Sequence, residues 1–352
     1  MSQHDQDNAA LLLEQVRDAL VRRTPLRIQG SDSKAFLGRP VSGQTLDTRA
    51  HRGIVSYDPT ELVITARAGT PLSDVKGALA DCGQMLPCEP PAFGPAATLG
   101  GMVASGLSGP RRPWAGAVRD FVLGTRLISG MGQHLRFGGE VMKNVAGYDL
   151  SRLMAGSFGC LGVLTEVSLK VLPVPRACLS VRLELSQAQA LQRLADWGQQ
   201  PLPISAACHD GQALNLRLEG GEGSVAAAHD RLGGERLSND FWHLLNEHHL
   251  PFFDDPRPLW RLSLPNNTAA LSLPGTQLLD WAGAQRWLKA ELGAEEVRQA
   301  ISAVGGHATA YGSGHAYPFQ PLPAALLTLQ QRLKTQFDPH GIFNPGRLYP
   351  EL

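Results

Sequence analysis

The chain has 352 residues, 43% of them hydrophobic, which is enough for two domains and a sizeable core. Its 32 basic and 32 acidic residues balance, which argues against nucleic acid as a partner. It contains neither an apolar run long enough to span a membrane nor, at its start, the basic and apolar regions of a signal peptide, so a cytoplasmic protein is expected.

In chain order, Asn8 to Arg23 reads as a helix with Leu12, Val16, Ala19 and Leu20 on one face, stopped by Pro25. Leu26 to Ile28 is a short strand that runs into Gly30-Ser-Asp-Ser-Lys34, a loop whose N–H groups suit a phosphate. The loop is neither a Walker A motif nor a Rossmann fingerprint. Glu61 to Ala68 is the next strand. Thr70 is expected to cap a following helix, with Pro71 at its first position and Leu72, Val75, Leu79 and Cys82 on its apolar stripe. A proline-stiffened stretch, Gln84 to Pro91, then leads to the segment from Gly94 to Lys170. Fifteen of that segment's 77 residues are glycine, the pattern of backbone wrapped closely around a large polar ligand such as a dinucleotide. Inside it, Phe121 to Ser129 and His134 to Phe137 form a hairpin, Asp149 caps a short helix, and Leu161 to Val171 alternates as a strand. Pro173 and Pro175 close a first domain, residues 1–175.

The second domain, residues 176–322, starts with a strand from Cys178 to Leu185. A Ser186-capped helix ends at Gly198, and Ile204 to Cys208 and Leu214 to Leu218 form a hairpin across Asp210-Gly211. A helix from Ser224 to Leu232 follows. Short strands then run from Trp260 to Trp287, with Trp281, Gly283, Gln285 and Trp287 expected on one face. A helix from Pro323 to Phe337 opens a third piece, residues 323–352, which returns to the first domain.

Five cysteines, none in a C-x-x-C, support neither a disulfide framework nor an iron–sulfur cluster. His243 and His248 miss the spacing of a helical metal pair, and His248-His249 reads as a solvated helix end. No metal is expected. A carboxylate ligand would want a guanidinium, for which Arg261 and Arg286 are the candidates. Gly156-Ser-Phe-Gly159 is not a nucleophile elbow.

The order of Gly30-Ser-Asp-Ser-Lys34, Ala68-Gly-Thr70, Pro90-Pro91, Thr98-Leu-Gly-Gly101, Arg119-Asp120, Lys143-Asn144…Gly147-Tyr-Asp149 and Gly162-Val-Leu-Thr-Glu166 resembles the vanillyl-alcohol-oxidase or PCMH-type FAD-linked oxidases. Asp338-Pro339…Asn344-Pro-Gly-Arg347 is similar to that superfamily's closing motif. The resemblance is strong over residues 26–175. It points in particular to the short flavin subunits of bacterial glycolate oxidase complexes. What it implies is an α+β protein, with a two-subdomain PCMH-type FAD-binding domain and an α+β cap whose antiparallel sheet covers the flavin in an interdomain cleft. Gly30, Ser31, Asp32, Ser33 and Lys34 would hold the FAD diphosphate from one side, and Thr98, Leu99, Gly100 and Gly101 from the other. Pro90, Arg119, Asp120, Gly147, Tyr148, Asp149, Gly162, Val163 and Asn344 would complete the site. The superfamily's covalent tethers are His or Cys, and the Gly30–Lys34 loop has no His, so non-covalent FAD is expected.

By the same resemblance the reaction is oxidation of glycolate, or another small 2-hydroxy acid, to the 2-oxo acid. A larger paralogous flavin subunit and an iron–sulfur subunit would be partners, with the complex at the inner face of the cytoplasmic membrane. Phe252, Phe253 and Trp260 are the expected contact patch. Gly306-His307-Ala308 stands where relatives carry a longer histidine, aspartate and asparagine motif; the acidic and asparagine positions are gone here, so His307 is a candidate for either a catalytic or a structural role. Two other readings stay open: an electron-relay or assembly flavoprotein, and a stand-alone NADPH-dependent reductase.

Overall fold

The computed structural model describes residues 5–139 and 149–352. Gly147 and Tyr148, with Lys143 and Asn144, lie outside the described residues. The chain divides into two units, one of residues 1–108, 116–173 and 321–352, the other of residues 109–115 and 174–320. The short segment 109–115 therefore leaves the first domain in which the sequence placed it. Trp281 Nε1 donates to the Gly109 carbonyl at 3.0 Å, and Arg111 pairs with the buried Glu219 at 2.5 Å.

In the first unit an antiparallel sheet of five strands runs in the order Ile54–Asp58, Val63–Arg67, Val163–Lys170, Val122–Ile128 and His134–Gly138. Val63–Arg67 is buried along its whole length, and Val163–Lys170 nearly so. A second, parallel pair joins Leu26–Gln29 to Gln44–Asp47. Helix Ala9–Arg22 sets Leu12, Val16 and Ala19 in a core with Leu26, Leu46, Val163, Ile342 and Phe343. That helix closes at Arg23, whose left-handed φ of 52° lets the Thr24 N–H reach the Ala19 carbonyl at 2.9 Å. Thr70 does not cap the next helix, Leu72–Asp81. It is buried, and its Oγ1 donates to the Arg67 carbonyl and accepts the Gly53 N–H at 2.9 Å, holding the preceding turn instead.

The second unit is built on an eight-stranded antiparallel sheet. Ser186 and Gln189 form a capping box that starts helix Gln187–Trp197. This helix and Glu222–Leu232 cover a core of Val181, Leu194, Leu216, Leu218 and Val225. Helix Ala294–Ser302 covers a second core of Trp260, Leu262, Leu288, Ala308 and Ala310. Trp260 is 3% exposed, so it belongs to the core and not to the expected contact patch; Phe252 and Phe253 are half-buried. Trp281–Gly283 is a single 3-10 turn with Ala282 left-handed, and the strand begins only at Gln285.

His248 is not a solvated helix end. Its ring stacks on Phe253 at 4.0 Å and meets the edge of Trp287 at 4.7 Å. Burial pushes its pKa down to about 3, so the folded protein keeps it neutral where an unfolded chain would protonate it. The depressed folded value means that its contribution is fully present above the ordinary pKa near 6.5 and is lost as pH falls from there towards 3, by about 1.4 kcal/mol per pH unit. His248→Phe is expected to flatten the fall in stability between those limits, as read from urea midpoints across pH. An unchanged slope would assign that acid sensitivity to other groups. No helix among the described residues is long and apolar enough to cross a membrane.

Candidate functional site

Strand Leu26–Gln29 feeds directly into Gly30–Lys34, and this loop walls a cleft of about 290 Å³ in the first unit. Asp32 takes a left-handed φ of 58°, which curls the loop into a concave nest of N–H groups. Among the described residues, the N–H groups of Gly30, Ser31 and Asp32 donate to nothing. Gly30 allows the close approach behind them: a Cβ there would lie 2.5 Å from Thr98 Oγ1. Thr98 and Gly101 form the facing wall, and Gly100 and Gly162 line a smaller adjoining cleft. The Gly100-Gly101 turn is not the phosphate donor that the sequence suggested. Gly100 N–H is bonded to the Ala68 carbonyl at 2.7 Å, and Gly101 N–H to Thr98 Oγ1 at 3.2 Å, as the N-cap of helix Leu99–Ser105. The turn shapes the wall, and among the described residues the unspent N–H groups of this cleft include those of Gly30, Ser31 and Asp32.

Two of the charges in this cleft, Arg27 and Arg347, come from residues that sequence reasoning did not assign to it. Among the described residues, Arg27 lines it with Lys34 and Arg347, against a single lining carboxylate, Asp32. Arg27 reaches Asp32 at 2.6 Å, while its Nε is buried with no partner. Arg347 donates to the carbonyls of Arg39 (2.7 Å) and Ala35 (3.2 Å); burial lowers its pKa, yet a guanidinium stays charged. Asn344 lines both clefts, but its amide is spent on the protein, accepting from Ile28 N–H at 2.8 Å and donating to the Phe158 carbonyl at 2.6 Å. Three cations, one carboxylate, an orphaned guanidinium nitrogen and a nest of idle N–H groups fit a diphosphate.

The other expected residues among those described lie outside the walls of these clefts. Pro90 and Leu99 are buried, and Val163 sits in the core with Leu12 and Phe343. Arg119 is exposed, Asp120 accepts the Ala117 N–H at 2.8 Å, and Asp149 caps the Arg152 N–H at 3.1 Å.

In the second unit the two candidate arginines part company. Arg286 is fully buried, and its guanidinium is consumed by the carbonyls of Gly283 (3.1 Å), Ala269 (2.8 Å) and Thr268. It holds a loop and, with no exposed surface, is closed to a ligand. Arg261 instead donates only Nε, to Gln285 Oε1 at 2.6 Å, and lies over the Trp281 ring at 5.2 Å. Its two Nη groups have no hydrogen-bond partner among the described residues, and burial lowers its pKa. The alternation of the sheet puts Arg261, Gln285, His307 and Thr309 on one face, opposite the Trp260 core. His307 opens its strand at the accessible end; desolvation first, then the Arg261 charge, lower its pKa, so it is neutral near pH 7. No group of acidic, His and Cys side chains among the described residues could hold a metal.

The fold and the cleft define an FAD-linked oxidoreductase of the PCMH type. A family model described as "FAD binding domain" matches residues 7–138. The chain is similar in fold to an alkyldihydroxyacetonephosphate synthase, with a TM-score of 0.65 at 16% identity, over 97% of this chain and 75% of that one. It is 62% identical to glycolate oxidase subunit GlcE of Escherichia coli K12, over 98% of this chain and 99% of that protein. It is 33% identical to glycolate oxidase subunit GlcD of Bacillus subtilis, over 44% of this chain and 33% of that protein. The chain belongs to the family of the glycolate oxidase subunit GlcE, and FAD is its cofactor.

Proposed function

We propose that this chain is the FAD-bearing subunit of a complex that oxidises glycolate, or a similarly small 2-hydroxy acid, to the 2-oxo acid. The observation that carries the reading is end-to-end similarity to a glycolate oxidase subunit, joined to an arginine whose fork is left open. Gly30, Ser31 and Asp32 would hold the diphosphate by their N–H groups, and Arg27, Lys34 and Arg347 by charge. When bound, FAD supplies the two-electron acceptor for the hydride that leaves the hydroxyl-bearing carbon. The chain's own part is recognition and proton handling. Arg261, planar and partly desolvated, presents its two Nη groups to the substrate carboxylate in a bidentate pair. Neutral His307, on the same sheet face, takes the hydroxyl proton on an imidazole nitrogen.

The electrons leave through partners, a larger flavin paralogue of the kind the Bacillus protein represents and an iron–sulfur subunit. Co-purification tests this. The chain should bring down two further proteins, and the assembly should reduce a dye with glycolate far faster than the isolated chain. Full turnover by the isolated monomer would contradict it. The flavin is held without a covalent bond in this reading: among the described residues neither cleft is lined by His or Cys, and burial pushes the nearby Cys160 thiol up to about 11. Acid precipitation should release all yellow colour, and a fluorescent band on a denaturing gel would overturn this.

A further inference from the structure

A buried ion pair stands behind the phosphate cleft without lining it. Helix Ala324–Phe337 is accessible along most of its length, and Lys334 is its buried residue. Lys334 Nζ donates to Asp338 Oδ2 at 2.8 Å, to the Cys160 carbonyl at 2.8 Å and to the Phe343 carbonyl at 2.6 Å. An ammonium has three protons, and these three acceptors use them all. Asp338, 1% exposed, accepts the Ile342 N–H on Oδ1 at 3.1 Å and the Phe343 N–H on Oδ2 at 2.8 Å. Taking two ions out of water is costly, and an apolar pair of the same volume commonly serves stability as well. What this pair supplies is position. It ties the loop at Cys160 and the backbone at 342–343 to a single point.

The chain that leaves this point is the back wall of the cleft. Leu26 N–H bonds to the Ile342 carbonyl at 2.7 Å, and Asn344 N–H bonds to the Leu26 carbonyl at 3.0 Å. The Asn344 amide then bridges Ile28 and Phe158, and Arg347 ties down Arg39 and Ala35 beyond the nest. Strand Leu26–Gln29, which delivers the nest, is therefore held by an arm whose own anchor is Lys334–Asp338. We infer that Lys334 and Asp338 are positioning residues for the cofactor: through the arm 342–347 they set the placement of Gly30–Lys34, and hence the affinity for the diphosphate half of FAD. This rests on the reading that the cleft takes the FAD diphosphate.

The test uses full-length protein stripped of flavin, titrated separately with FAD and with ADP, which carries the diphosphate without the flavin ring. The double variant Lys334→Met with Asp338→Asn removes the charges together. It strands the Cys160 and Phe343 carbonyls, so it is expected to melt below wild type while still folding, to lose at least tenfold in affinity for both ligands, and to change the visible circular dichroism of the FAD it still binds. If it does not fold, Asp338→Asn alone is measured in its place and carries the same expectation for both ligands. Wild-type ADP and FAD affinity in the folded variant overturns the inference, because a merely structural pair would alter melting and leave both affinities alone. Gly30→Val separates the underlying reading. If it abolishes ADP binding while the Lys334 variant does not, positioning alone fails; if it leaves ADP binding intact, the cleft assignment fails and the inference with it.

Discussion

Purified Gly30→Val protein is expected to be colourless. A Cβ on Gly30 would sit 2.5 Å from Thr98 Oγ1, closer than real Cβ contacts come, and valine adds two methyl groups beyond it. Thr98 has to move, and it carries the cap on the Gly101 N–H with it. Overpacking costs about 1–3 kcal/mol and a lost cap about 1 kcal/mol, so the loop that binds is disfavoured by about 2–4 kcal/mol in all. That corresponds to a loss of roughly thirty- to several-hundred-fold in FAD affinity. Flavin per chain, measured after release by acid, checks it; a wild-type ratio would remove Gly30 from the site.

Arg261→Lys is expected to lower kcat/KM for glycolate, in the assembled complex, by about ten- to a hundredfold. Lysine keeps the charge but not the planar fork, and a hydrogen bond to a charged group contributes about 1.5–3 kcal/mol. It also releases Gln285, which Arg261 Nε now holds at 2.6 Å. The contrast is Arg286→Met. That change strands three carbonyls, so it should lower the melting temperature and leave the KM for glycolate unchanged. An Arg261→Lys enzyme with wild-type kcat/KM would place the carboxylate anchor elsewhere.

Elements with a local signature were legible in the sequence. The Ser186–Gln189 box marks its helix, the alternation from Leu161 to Val171 marks the central strand, and the glycine and hydroxyl residues after Ile28 mark the nest. What escaped depends on distant partners. The parallel partner of Leu26–Gln29 is Gln44–Asp47, a short polar strand that no hairpin turn announces. Arg27, inside a strand, reads as an outward-facing charge, and only the fold turns it into a wall of the cleft. Lys334 and Asp338 are four residues apart, a spacing normally read as a surface pair on a helix, and burial alone distinguishes them. Trp260 could have been placed better. Strand alternation sets it with Leu262, on the face opposite Arg261 and Ser263, and that is the buried face.

The central claim is that this chain carries FAD in the Gly30–Lys34 cleft and oxidises a small 2-hydroxy acid. The measurement that addresses it most directly is an anaerobic absorption titration of the flavin-loaded complex and, beside it, of the flavin-loaded chain. Glycolate should bleach the visible flavin band of both and yield the 2-oxo acid in step with the bleaching, and NADPH should leave the band untouched. Bleaching by NADPH and not by glycolate would make the chain a nicotinamide-dependent reductase. A chain whose flavin responds to neither, in a complex that still turns over glycolate, would be a relay or a scaffold, and either outcome would contradict the claim.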